Sequence, residues 1–293
     1  MHAAAAQQCF SRSATYSRVL RVFAAATLLA LAIVAPGCRT PTASEARYRR
    51  GVVFVLPGIE GRSIWNRNIV RGLDDGGVSS AIEIYDWTSV IPGNLLVNLT
   101  DLQRNREQAR LLAERIVEYH QHNPGRPVHL VGHSGGGGVA VLALEQLPPG
   151  ESVDMAILLA PALSPEYDLT TALCRARYGI CNFYSDYDVS FLKVGTSLFG
   201  PIDREHGVSA GAVGFRLPED LSDWAQELYD ARLRQMAWDE QLKRAGADGT
   251  HLGWASRRFA ASYLAPLIKQ HEAARPLPAD FFERQGLPMP EGR

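Results

Sequence analysis

Residues 128–136 read Val128-His129-Leu130-Val131-Gly132-His133-Ser134-Gly135-Gly136, and this stretch decides the architecture. Its first half is apolar and β-branched, the signature of a buried strand. Its second half is glycine-rich and runs straight into an apolar helical pattern through Leu147. A bare Gly-x-Ser-x-Gly arises easily by chance. Between a strand and a helix it gains a physical meaning, because the chain must turn abruptly and the serine backbone is strained. Side chains two positions to either side would collide in such a bend, which accounts for Gly132 and Gly136. The bend presents the Ser134 hydroxyl at the C-terminal edge of a sheet, and the following helix aims its unpaired N–H groups at the same place. Two blander readings compete: a glycine-rich helix start that binds phosphate, and a turn with no chemical role. The first lacks the Lys-Ser/Thr ending of a P-loop.

Outward from the bend, short apolar runs alternate with helical patterns. Residues 51–56 (Gly-Val-Val-Phe-Val-Leu) form a strand stopped by Pro57-Gly58. Residues 64–73 suit a short helix, and 80–85 alternate as a second strand. Leu102, Ala109, Leu112, Ile116 and Tyr119 recur at near-helical spacing over residues 101–122, and Pro124-Gly125 ends that helix. Residues 153–159 and 181–185 read as buried strands, 218–230 as an amphipathic helix, 234–238 as a weaker strand and 254–269 as a last helix. Strands alternating with helices imply an α/β fold, a mostly parallel sheet of about six strands with helices on both faces.

With Gly-His-Ser-Gly-Gly set between strand and helix, residues 51–270 resemble the α/β-hydrolase superfamily of esterases and lipases. The resemblance implies a nucleophile, an acid after a late strand and a histidine after the last strand, in that order. Asp248-Gly249-Thr250-His251-Leu252-Gly253 precedes the final helix and resembles the family's Gly-x-His loop, which makes His251 the base for Ser134. His206 is the rival base. His133 adjoins the serine but is pointed elsewhere by the bend, and His129 reads as a satisfied core residue inside a strand. His120 and His122 end a helix with no third metal ligand evident. For the acid, the family's spacing beyond the strand end selects Asp188, with Asp186 left open; Asp203 reads as a turn or ion-pair residue. The oxyanion hole would use the N–H of Gly135 and one from the loop after the first strand, Ile59 or alternatively Gly58. This loop has Pro57-Gly58 where many relatives have His-Gly.

The family's two leading antiparallel strands have no counterpart here, which implies a compact core without a large cap. Residues 87–99 and 191–215 would wall the pocket or cover the sheet edge. The resemblance thus implies hydrolysis of a small-molecule or lipid carboxylic ester through an acyl-enzyme on Ser134, with no cofactor. A thioesterase, amidase or acyltransferase would use the same residues. A catalytically silent scaffold serving as an envelope-tethered binding protein is the reading from another class.

Composition bounds these readings. The chain has 293 residues, 46% hydrophobic and 21% charged, enough for one substantial core. A formal charge of −1 argues against nucleic acid as a partner. Arg12, Arg18 and Arg21 precede an apolar stretch over residues 22–35 and then Pro36-Gly37-Cys38, which reads as an export signal over residues 1–37. That stretch is shorter than the roughly 20 residues of a spanning helix. Cysteine after Gly37 resembles a lipobox, so Cys38 is the candidate lipid attachment site; plain secretory cleavage and an uncleaved anchor are the alternatives. Export to the cell envelope, lipid-anchored or secreted, would leave residues 38–50 as a linker, 51–272 as the domain and 273–293 as an extended tail. In that oxidising setting Cys174 and Cys181 are a candidate disulfide.

Overall fold

A computed structural model describes residues 42–89, 95–188 and 208–272, so Cys38, His206 and Asp203 lie outside the described residues, with the signal and the tail. The chain enters through a short helix, α1 (Glu45–Tyr48), and strand β1 (Val52–Leu56). Then come α2 (Ile64–Asp75), β2 (Ala81–Ile84), α3 (Leu95–Thr100), α4 (Leu102–His122), β3 (Val128–His133) and α5 (Gly135–Gln146). The second half runs β4 (Met155–Leu159), α6 (Thr170–Cys174), β5 (Ile180–Tyr184), α7 (Ala210–Val213), α8 (Asp223–Arg232), β6 (Leu233–Ala237) and α9 (Glu240–Ala245). The last helix begins at Arg257–Phe259 (α10), passes through a π-turn at Ala260–Leu264 and ends as α11 (Ala265–Glu272).

All six strands are parallel, in the order β2-β1-β3-β4-β5-β6. β1, β3 and β4 are buried along their whole length, as their unbroken apolar runs require when both faces are covered. Alternate residues face opposite ways. Val52, Phe54 and Leu56 join the core under α4, α5 and α8, while Val53 and Val55 join the core under α2 and α11. β6 is the exposed edge, which explains why its sequence signal is the weakest.

From β1 the chain adds β2 on one side and β3 on the other. The direction of growth therefore reverses between β1 and β3, and the crevice beyond their C-terminal ends is where open α/β sheets bind ligands. Leu56 pairs with Gly132, so the loop after β1 and the bend after β3 stand side by side at that crevice.

Two expectations change. Cys174 and Cys181 are free thiols and form no disulfide. Cys174 packs against the core under α4 and α5, whereas Cys181 belongs to the core on the other face, so the sheet itself stands between them. Residues 42–50, read as part of a linker, are docked instead. Arg47 is buried, its Nε donates to Ser80 O at 3.0 Å and its guanidinium pairs with Asp74 at 2.6 Å.

Candidate active site

Ser134 sits in the bend between β3 and α5 with φ 55° and ψ −123°. Among the described residues only Ser134 and Ala160 are non-glycines with positive φ, and both follow the C-terminal ends of neighbouring central strands. Such a conformation costs on the order of 1–3 kcal/mol and persists where its surroundings over-determine it. They do so here: Ser134 N donates to Leu159 O at 2.9 Å, and Ser134 O accepts from Gly137 N at 2.9 Å and Ala162 N at 3.1 Å. Both backbone polar groups of the serine are held, and the residue as a whole is buried, with 9% of its surface exposed.

The flanking glycines are required for two different reasons. A Cβ on Gly132 would lie 2.5 Å from Gly136 O, so the strand and its own helix approach too closely for a side chain. A Cβ on Gly136 would overlap the carbonyl oxygens of Leu56 and Pro57, so the helix is also pressed onto the end of β1. That second contact brings the loop of residues 57–61 to the nucleophile. A Cβ on Gly58 would stand 3.3 Å from Ser134 Cβ.

Four of the five carbonyls of this loop accept hydrogen bonds from groups other than the serine. Pro57 O accepts from Trp87 Nε1 at 2.7 Å, Gly58 O from Gly61 N at 3.1 Å, Ile59 O from Asn98 Nδ2 at 2.8 Å and Gly61 O from Asn66 Nδ2 at 2.8 Å. The N–H groups of Gly58, Ile59 and Glu60 have no acceptor among the described residues. Gly135 N–H opens α5 and has no partner within the helix. N–H groups without an acceptor thus occur in the loop after β1 and at the first residue of α5, the two segments that hold Ile59 and Gly135. Trp87 and Asn98 were not recognised as anchors of this loop. Trp87, read as a pocket wall, is fully buried, and Asn98 carried no signal at all.

His251 is buried at 5% exposure in the loop between α9 and α10. The loop is shaped by Asp248, which accepts from Thr250 N at 2.9 Å and Thr250 Oγ1 at 2.7 Å. Its contact with the bend runs through His133: the two imidazole centroids are 4.9 Å apart, and His133 Nε2 lies 2.9 Å from His251 O. A carbonyl only accepts, so the His133 proton is on Nε2. Burial, then the neighbouring His251 charge, pull the His133 pKa down to about 3, so the ring is a neutral, fixed donor. The His133 ring is turned to the histidine loop, a role that sequence did not suggest.

The acid candidates occupy a 3₁₀ turn, Asp186–Asp188, directly after β5. Asp186 is exposed; the Asp188 side chain lies outside the described residues. His120 pairs with Glu151 at 2.6 Å and His122 Nδ1 lies 2.8 Å from Glu118 O, away from this crevice. Among the described residues no group of three or more His, Cys, Asp or Glu could hold a metal ion.

No family model matches the chain, and no curated protein matches it. Among solved structures it is similar to a protein assigned as a hydrolase of the α/β superfamily from Xanthomonas campestris pv. campestris. That match has 20% identity, covers 75% of this chain and 98% of the other, and has a TM-score of 0.34. A lipase-esterase related protein from Clostridium acetobutylicum is similar at 9% identity, over 75% and 94% of the two chains, with a TM-score of 0.41. An esterase domain from Rhodothermus marinus is similar at 16% identity, over 81% and 89%, with a TM-score of 0.39. The parallel strand order, the strained serine after β3 and the histidine loop after β6 are this chain's own, and they give it the α/β-hydrolase fold, without leading antiparallel strands among the described residues.

Proposed function

We propose that the chain is a serine hydrolase that cleaves carboxylic esters through an acyl-enzyme on Ser134. The observation that carries this reading is the forced backbone of Ser134, a non-glycine held at φ 55° at the switch point of the sheet, beside unpaired N–H donors. A structural turn has no need to hold a serine there. His251 takes the hydroxyl proton as Ser134 Oγ attacks the ester carbon, and Asp188, or alternatively Asp186, steadies the resulting imidazolium. The N–H groups of Gly135 and Ile59 receive the carbonyl oxygen as it becomes an oxyanion, each worth about 2.7–4 kcal/mol in such sites. The proton then passes to the leaving alcohol, and water releases the acid by the same steps in reverse order.

Residues 1–37 act as an export signal in this proposal, and Cys38 as the lipid attachment point that holds the domain at the envelope. A fluorophosphonate probe tests the central claim: folded wild type should be labelled covalently and Ser134→Ala should not. Unlabelled, well-folded wild type would favour the silent scaffold.

A further inference from the structure

The loop that offers its N–H groups to the site also carries a charge that does not suit a neutral ester. A methyl placed on Gly58 would lie 3.3 Å from Ser134 Cβ and would overlap the Glu60 carboxylate. The acidic side chain and the nucleophile therefore border the same space over Gly58. Ser63 Oγ donates to Glu60 Oε1 at 3.2 Å, and the same oxygen accepts from Trp65 N at 3.2 Å and Asn66 Nδ2 at 2.8 Å as the N-cap of α2. The carboxylate is folded back over Gly58 by a fixed partner.

Neighbouring charges are already matched. Asp86 pairs with Arg62 at 3.8 Å and accepts from Thr88 Oγ1 at 2.6 Å, while Arg104 donates to Trp87 O at 2.9 Å. Glu60 has no ion-pair partner among the described residues, and it is exposed to the crevice solvent. A carboxylate this close repels the oxyanion that would form on Ser134. A positive charge on the substrate turns the same group into an attraction.

We propose that Glu60 is a specificity-determining residue that directs the enzyme to esters bearing a cationic ammonium group a few bonds from the scissile carbonyl. The proposal rests on Ser134 being the nucleophile.

Two pairs of matched esters test it, each differing only by carbon in place of the ammonium nitrogen. Acetylcholine and neohexyl acetate place the charge on the alcohol; the p-nitrophenyl esters of glycine betaine and of tert-butylacetic acid place it on the acyl group. Wild type should favour the charged member of at least one pair by about fivefold in kcat/KM at low salt, the scale of an exposed ion pair. Added salt should shrink that preference. Glu60→Gln keeps an acceptor for Ser63; it should bring the ratio close to unity and raise turnover of the neutral ester. Equal ratios in wild type and Glu60→Gln, or a wild-type ratio indifferent to salt, overturn the proposal; normal fluorophosphonate labelling alongside leaves Ser134 as nucleophile. Folded wild type that neither labels nor turns over any of the four esters overturns both readings.

Discussion

His129 and His133 lie on one strand and one face of the sheet, both buried and both with depressed pKa values, yet they do opposite things with their nitrogens. At the N-terminal end of β3, neither ring nitrogen of His129 has a hydrogen-bond partner among the described residues. Its surroundings are the His271 ring, 6.4 Å away and stacked on Tyr178, with Asp154 and Glu272 close enough to act on its charge. At the C-terminal end, His133 directs its one N–H to the His251 carbonyl and so joins two segments far apart in the chain. The same residue type is an uncompensated polar group at the closed end of the sheet and a tether at the open end. The difference lies in what each ring meets: His133 reaches the carbonyl of the histidine loop, whereas the His129 ring faces the His271 ring.

The sharpest way to break this comparison is to spoil the open end without touching either histidine. Gly136→Ala gains about 1 kcal/mol of helix propensity, but its methyl overlaps two backbone carbonyls that cannot rotate away. Overpacking of about 3 kcal/mol wins, so a net loss near 2 kcal/mol in denaturant unfolding and near-complete loss of turnover are expected. A fully active Gly136→Ala would mean that the bend is looser than its contacts imply.

His133→Ala removes the tether and should lower kcat about a hundredfold with KM little changed, the effect of misplacing a catalytic group by about an ångström. His133→Gln restores a donor at similar reach and should recover most of the loss. Equal defects in the two variants would reduce His133 to a packing residue.

His129→Leu is the counterpart at the closed end: activity unchanged, and stability at neutral pH raised by about 1 kcal/mol as an unsatisfied group disappears. The pH dependence sharpens the contrast. Burial holds the folded pKa of His129 at about 4, below its unfolded value near 6.5. The folded chain therefore keeps this contribution above pH 6.5 and loses it as pH falls toward 4, where the unfolded chain binds the proton first. His129→Leu should flatten that acid loss by about 3 kcal/mol between pH 7 and pH 4. Unfolding curves that stay parallel to wild type would place the acid sensitivity elsewhere.

Much of the fold was legible because buried parallel strands leave unbroken apolar runs. Residues 51–56, 128–131 and 153–159 announced β1, β3 and β4. β6 was faint because an exposed edge strand need not be apolar. The bend was legible for a local reason as well, since glycines flank a residue that had to be strained. The proposed disulfide failed because spacing along the chain says nothing about which face of a sheet each cysteine occupies.

By itself, then, the sequence determined the alternation of strands and helices, the site of the bend at Ser134 and the loop that carries His251, each a matter of local pattern. The tertiary structure decided which carbonyls Trp87, Asn98 and His133 would hold, which face Cys174 and Cys181 would take, and that Glu60 would stand beside the serine. Those outcomes depend on long-range pairing, above all β1 against β3. A hydrogen-bond partner distant in the chain leaves no periodic trace in the residues that meet it.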